Sequence, residues 1–350
     1  MRWLLVPLFV ILVAASCRCD ATRSRSELID GYVTTALLPQ GPGVAVAVIR
    51  SGEVVHRSGY GFADVEAKQP VTPETVFDLA SIAKQMTGMS VLVLRERGQL
   101  RLEDELRTHL PELPEYESER QPRIDDLSRM SSGLPTFIAA DDAPVPTEAS
   151  MLEWFAKQGE LDFEPGETFS YNNGNYFLLA RVVERVAKKP FAAFLTEEVL
   201  RPAGMNTAVV LDSKDTVVPN RAQGYARGKP ARWDDGITGP ANVFASLDDM
   251  IAWDRALWSG KLVPVETLAR ALEPARLSDG RPLGYALGWG LTEHLGRRMA
   301  WQDGDWIGAS TYIARYLDDA LTVILLSNGT RVPLEEASRT IAAMYLEPGR

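Results

Sequence analysis

The hydrophobic and polar positions fall into two patterns along the chain. Near the start, the apolar, valine-rich residues 43–50 and residues 53–60 flank Ser51-Gly52, a two-residue turn signal. That arrangement predicts a β-hairpin. Near the end, residues 309–316 and 320–327 flank Leu317-Asp318-Asp319 and predict a second hairpin. Helices are expected over residues 26–38 and 334–345. Between the hairpins, from Ser81 to about Leu200, the pattern is mostly helical. Residues 79–94 are mostly apolar. Residues 175–188 place Tyr176, Leu179, Val183 and Val186 on one helical face, with Arg181, Glu184, Arg185 and Lys188 opposite. Pro190 then stops that helix. Strands at both ends with helices between them predict an α+β fold. An antiparallel sheet would be built from the N- and C-terminal segments and flanked by helices, with a mostly helical region inserted between its halves.

The first residues read as a sorting signal rather than as part of that fold. Arg2 precedes an apolar stretch from Leu4 to Ala15, too short to span a bilayer and ending in small residues. Residues 1–16 are therefore expected to be a signal peptide and residues 17–26 a tether, with one domain over 27–350. Cleavage after Ser16 and lipidation at Cys17 both suit the junction Ala14-Ala15-Ser16-Cys17. The protein is expected to be exported to a bacterial periplasm or cell envelope, with membrane contact only through a lipid anchor at Cys17. Both cysteines, Cys17 and Cys19, lie at this junction. The body then has no disulfide framework and no thiol nucleophile.

The 350 residues are 45% hydrophobic and 24% charged, as in an ordinary globular protein. A net charge of -10 argues against a nucleic-acid footprint, which needs a basic patch.

Candidate chemistry begins at Ser81-Ile82-Ala83-Lys84. Residues three apart on a helix share a face, so the Ser81 hydroxyl and the Lys84 amine can touch. Lys84 is the only charge between Leu79 and Leu94. Burial and a helix N-terminus both disfavour its cation and push its pKa down. An amine so placed can deprotonate a neighbouring hydroxyl. The plain alternative is a lysine that snorkels or pairs with a carboxylate. Tyr171-Asn172-Asn173 is the second candidate, lying between the Pro165-Gly166 turn and the amphipathic helix. The Tyr171 phenol can relay a proton there, and the Asn173 amide can bind a substrate carbonyl or amide. Alternatively, Asn172 or Asn173 caps the helix.

In order and spacing, these motifs resemble the serine β-lactamase and penicillin-binding-protein superfamily, in particular class C β-lactamases and their relatives. Those relatives include D,D-peptidases, D-aminopeptidases and family VIII esterases. The resemblance runs from about Leu37 to Leu346. It includes Phe77-Asp78-Leu79-Ala80 before the nucleophile and the stretch Asp126-Leu127-Ser128-Arg129-Met130-Ser131-Ser132-Gly133-Leu134-Pro135. It also includes Phe163-Glu164-Pro165-Gly166 and Arg201-Pro202-Ala203-Gly204-Met205. It implies a β-lactamase-like fold, Ser81 as nucleophile, Lys84 and Tyr171 as its proton-handling partners, and a small-molecule or peptide substrate. No cofactor or metal is implied. Arg129 and Met130 depart from the family's His and Thr and are expected to be structural.

The third motif departs from the family. Gln302-Asp303-Gly304 stands where Lys-Thr-Gly or His-x-Gly is usual, followed by Asp305. Gly304 would let substrate approach the backbone closely. Gln302 supplies no charge for a substrate carboxylate, and charge-assisted contacts are about twice as strong as neutral ones. Asp303 and Asp305 would add repulsion. A neutral ester or amide, or a substrate carrying an amine, is favoured over penicillins. The backbone N–H groups of Ser81 and Asp305 are expected to form the oxyanion hole, each donor being worth about 3 kcal/mol. Either Lys84 or Tyr171 takes the Ser81 proton. The three histidines lack metal spacing, and no Gly-x-Ser-x-Gly elbow is present. Arg297-Arg298 reads as a strand-edge charge pair or a substitute anion site. The competing functional readings are a catalytically silent member that binds cell-wall fragments or a protein, and a transpeptidase.

Overall fold

The computed structural model describes residues 24–37, 41–137 and 145–346. The expected signal peptide and Cys17 lie outside the described residues. Ser24 caps helix α1 (Arg25–Tyr32) through the Glu27 backbone N–H, and Glu27 reaches back to complete a capping box. Residues 24–26 therefore belong to the domain rather than to the expected tether. A π-helical turn, Val33–Leu37, continues α1 to the last described residue of the stretch expected to be helical.

The main sheet has seven antiparallel strands. They are β1 (Val44–Arg50), β2 (Glu53–Tyr60), β3 (Tyr285–Ala286), β4 (Trp289–His294), β5 (Arg297–Trp306), β6 (Ala309–Tyr316) and β7 (Leu321–Ser327). Their order is β3-β4-β5-β6-β7-β1-β2. The two predicted hairpins lie side by side, β7 against β1, where Val44 pairs with Ser327 and Arg50 with Leu321. The β1 side chains alternate between two cores, as a period of two requires. Val44, Val46 and Val48 pack towards α1 and the last helix, α5 (Leu334–Ala343), with Ile29, Val33, Leu334 and Ile341. Ala45, Ala47 and Ile49 face the larger core.

That larger core lies between the sheet and helices α2 (Ala83–Glu96), α3 (Asn173–Ala187) and α4 (Leu247–Ser259). Phe155 and Phe177 are fully buried in it. Each such side chain contributes roughly 1.5–3 kcal/mol. The predicted amphipathic helix is α3. Asn172 caps it, and Lys188 ends it in the left-handed region at φ 54°. A three-stranded sheet of Val76–Asp78, Val243–Ser246 and Val209–Val210 is built from segments on either side of the helical region, which the apolar periodicity does not foretell. Its first strand leads directly to Ser81. No described helix is long and apolar enough to cross a membrane.

Candidate active site

Ser81 lies in a 3-10 turn, Ala80–Ile82, that opens into α2. Ala80 sits at φ 46°, a strained conformation for a residue with a Cβ. The surroundings hold it there. Asp78 Oδ1 accepts from the Ala80 N–H at 2.8 Å. The Leu79 carbonyl accepts from Thr311 Oγ1 at 2.9 Å, and the Leu79 N–H donates to the Val243 carbonyl at 2.9 Å. The kink is thus anchored to both sheets.

Lys84 occupies the first turn of α2 and is 0% exposed. Its Nζ donates to Ser81 Oγ at 2.9 Å and to the Pro240 carbonyl at 2.9 Å. Among the described residues no carboxylate lies within ion-pair distance of it. Desolvation lowers its pKa to about 7, opposed only by the more distant charge of Asp303. A large share of the amine is therefore neutral near pH 7 and can accept the Ser81 proton.

Tyr171 faces the same pair, with Lys84 Nζ 5.0 Å from its ring centroid. The segment around Ser128–Gly133 sets its place. Ser170 N–H donates to the Met130 carbonyl at 2.9 Å, Gly166 N–H to Ser131 at 2.8 Å and Asp162 N–H to Gly133 at 2.7 Å. Gly133, at φ 76°, touches the Phe163 carbonyl so closely that a Cβ would lie 2.0 Å from that oxygen. Tyr171 is 43% exposed as a residue, yet burial around its hydroxyl raises its pKa to about 12, while hydrogen bonding to Ser81 and Gln302 acts the other way. At neutral pH it is a phenol, suited to donating a proton. This division makes Lys84 the better base.

The asparagines divide their roles. Asn172 Oδ1 accepts from the Gly174 N–H at 2.8 Å, and its Nδ2 donates to the Leu134 carbonyl at 2.8 Å. It is the helix cap. Asn173 is exposed and its side chain makes no hydrogen bond to another described residue.

The third wall is β5. Its pairing with β4 ends at Trp301 opposite Gly290, so residues 302–306 present a free edge to the Ala80–Ile82 turn. Leu291 donates its N–H to Gly284, away from β5. Alternation then directs the N–H groups of Trp301, Asp303 and Asp305 towards β4 and that free edge. The Asp305 N–H thus points to the side where Ser81 lies. A Cβ on Gly304 would lie 2.3 Å from Thr311 Oγ1 and 2.7 Å from the Leu79 carbonyl, so only glycine lets the strand come this near.

Gln302 is 2% exposed; its Oε1 accepts from the Tyr285 hydroxyl at 3.2 Å and its Nε2 donates to the Asp303 carbonyl at 2.8 Å. The Asp303 side chain is exposed; its own backbone N–H donates to it, and no other described residue does. Burial on one side pushes its carboxyl up, Glu335 and Asp305 add to this, and Lys84 opposes it. Asp305 differs. Its Oδ1 accepts from Ser310 Oγ at 3.2 Å and from the Arg331 N–H at 3.1 Å. These bonds tie the Asp305 carboxylate to β6 and to the Arg331 backbone without removing its charge, which still raises the Asp303 carboxyl, and leave Asp303 the less anchored of the two.

The remaining candidates are engaged elsewhere. His56 bonds Ser26 and Tyr60, His109 bonds Asp104, and His294 bonds Tyr316. Arg297 pairs with Asp319 at 2.8 Å and Arg298 with Asp318 at 2.6 Å, which is the strand-edge reading. Arg129 pairs with Asp125, and Met130 Sδ accepts from the Asn172 N–H. No group of three potential metal ligands occurs among the described residues. Sequence reasoning missed Pro240, Thr311, Tyr285 and the Asp78 side chain that accepts from the Ala80 N–H.

Comparison with known proteins gives the same kinship by two routes. The sequence profile of the Beta-lactamase family matches residues 32–345. Penicillin-binding protein 4* of Bacillus subtilis (strain 168) is 28% identical over 309 residues, covering 81% of this chain and 67% of that protein. A D-aminopeptidase of Gluconobacter oxydans (strain 621H) is 31% identical over 314 residues, covering 87% of this chain. The aligned region spans 59% of that enzyme's own length. In fold, an octameric penicillin-binding protein homologue from Pyrococcus abyssi superposes with a TM-score of 0.81 at 23% identity, over 92% of this chain and 78% of the other.

Proposed function

Because the chain belongs to the Beta-lactamase family, we propose that it is a serine hydrolase that cleaves an ester, amide or peptide bond through an acyl-enzyme. One observation carries the reading: a fully buried lysine with no carboxylate partner lies 2.9 Å from a serine hydroxyl. A pure binding protein has no use for such a lysine, because an unpaired buried cation destabilises the fold. That argues against the silent-member reading.

The reaction follows from the groups in place. Lys84, as the free amine, takes the proton from Ser81 Oγ as that oxygen bonds to the substrate carbonyl carbon. The N–H groups of Ser81 and Asp305 stabilise the oxyanion. As the tetrahedral intermediate collapses, the bond to the leaving group breaks. Tyr171 hands its proton to that group and is reprotonated from Lys84. Water then attacks the acyl-serine along the same proton route and releases the acid.

The third wall supports a substrate class. Gln302 offers no charge to a carboxylate, and Asp303 repels one. A cationic group docked beside Asp303 would instead offset the desolvation of its carboxyl. We therefore assign the substrate as a neutral or amine-bearing ester or amide. A D-aminopeptidase among the relatives agrees with the amine-bearing class. The test is turnover by the purified domain of a cephalosporin, a short-chain p-nitrophenyl ester and a D-amino-acid p-nitroanilide, each beside Ser81→Ala. The expected result is Ser81-dependent cleavage of ester or anilide with little cephalosporin turnover, and a weaker anilide preference in Asp303→Asn. Rapid cephalosporin turnover would sink the substrate assignment while leaving the hydrolase intact. Activity surviving Ser81→Ala would sink the mechanism.

The location is proposed from residues 1–17 alone: export to the cell envelope, with a lipid on Cys17. Mass spectrometry of the mature N-terminus tests it, and an unmodified Cys17 would rule the anchor out.

A further inference from the structure

The family's cationic or imidazole side chain is missing from β5, yet its replacement is not loose. Gln302 is buried and both ends of its amide are engaged. An amide is two-faced: its oxygen only accepts and its nitrogen only donates. Which end faces Tyr171 therefore decides whether the phenol oxygen meets a donor or a competing acceptor. The Asp303 carbonyl can bond only the nitrogen end. The Tyr285 hydroxyl occupies the oxygen end.

Tyr285 is itself firmly placed. It is 5% exposed and lies on β3, paired with Gly290 of β4. The turn that follows is wedged against α2. Leu287, at φ 51°, donates its N–H to the Ser128 carbonyl, and a Cβ on Gly288 would lie 2.4 Å from the Gln85 nitrogen. The helix that carries Lys84 thus fixes the strand that carries Tyr285. The Tyr285 ring meets Tyr171 edge-on at 6.2 Å, with an interplanar angle of 86°. Burial raises the Tyr285 pKa well above the ordinary tyrosine value, so its hydroxyl stays protonated as a donor.

We propose that Tyr285 is a positioning residue that orients Gln302 so that the amide N–H side faces Tyr171. It touches no substrate and acts through Gln302. The inference rests on the hydrolase reading and adds a residue to it. A donor held against the Tyr171 oxygen keeps the hydroxyl hydrogen aimed into the cleft, where the leaving group departs. Losing that order should matter most when the leaving group needs a proton. A p-nitrophenolate leaves without one, whereas an alkoxide does not.

The experiment compares p-nitrophenyl butyrate with ethyl butyrate in the wild type, Tyr285→Phe, Gln302→Ala and the double variant, with thermal melting as the folding control. Tyr285→Phe should lower kcat for the ethyl ester on the order of tenfold, about the worth of one hydrogen bond. The p-nitrophenyl ester should change far less. Gln302→Ala should show the same bias towards the ethyl ester, and the double variant should be no worse than the worse single one. Equal losses on both esters would mark Tyr285 as merely structural and overturn the proposal. So would unchanged ethyl ester turnover, or single effects that multiply in the double variant. A wild type inactive on both esters would overturn this inference, and the hydrolase reading falls with it only if the D-amino-acid p-nitroanilide is left uncut as well.

Discussion

Lys84 and Arg315 are both cations in the core beneath the sheet, 0% and 3% exposed, but they differ in their partners. Arg315, on β6, has Asp254 of α4 at 3.4 Å and lies over the Trp258 ring at 4.0 Å. Thr322 Oγ1 donates to the same Asp254 oxygen at 2.8 Å. Burial lowers the Arg315 pKa only to about 10, because Asp254 opposes it. Arg315 stays charged and inert. Lys84 donates to a hydroxyl and a carbonyl and has no carboxylate partner among the described residues, and its pKa falls to about 7. The comparison teaches that burial alone does not make a cation reactive. A buried amine becomes a base when its neighbours are neutral acceptors, and a guanidinium cannot serve because it keeps its proton.

The largest effects should come from breaking the reactive side. Ser81→Ala should reduce ester turnover by at least about 10³-fold, as loss of a serine nucleophile does elsewhere. Lys84→Met should lower turnover by about 10²–10⁴-fold, the usual worth of a general base. The same substitution should raise the melting temperature, stabilising the fold by on the order of 1–3 kcal/mol once two lost hydrogen bonds are set against the removed desolvation. A variant that was both inactive and less stable would erase the contrast.

The structural side should fail in the opposite way. Asp254→Ala strands a buried guanidinium and should cost about 3–5 kcal/mol of stability while leaving turnover per folded molecule intact. Asp254 Oδ2 and Arg315 Nη1 have no hydrogen-bond partners among the described residues, so the pair is imperfectly satisfied. Replacing both by apolar residues (Asp254→Leu with Arg315→Met) should recover much of that loss in a denaturant titration. Lost activity in folded Asp254→Ala would show that the two cations are coupled.

A pH titration sharpens the comparison without mutation. Acylation should rise with pH through about 7 as Lys84 loses its proton. Stability follows the same group with a definite sign. Its folded pKa lies below the ordinary 10.5, so between about 7 and 10.5 the unfolded chain binds more protons than the fold. The destabilisation is complete below about 7 and is relieved as pH rises across that window. Lys84→Met should flatten both curves. The smallest effect belongs to Ala80. Ala80→Gly should relieve strain at φ 46° and stabilise by up to about 1 kcal/mol in equilibrium unfolding. Unchanged stability would mean that Asp78 and Thr311 already offset the strain.

Local rules made much of this protein legible from its sequence. The valine-rich run before Ser51-Gly52 predicted β1 and β2, and spacing along α3 predicted its buried face. Three residues of helical turn were enough to bring Lys84 to Ser81, because that contact is made within one turn. Tertiary closure alone decided the rest. The Pro240 carbonyl that holds Lys84 comes from 156 residues away, and the Leu79 carbonyl is held by Thr311 from 232 residues away. The same closure anchored Asp305 more firmly than Asp303, set Tyr285 against Gln302, and gave Arg315 the carboxylate that Lys84 lacks. Periodicity and spacing report what a residue can reach within a turn or a hairpin. They carry no information on which distant groups meet a buried amine, and those groups set whether it holds its proton.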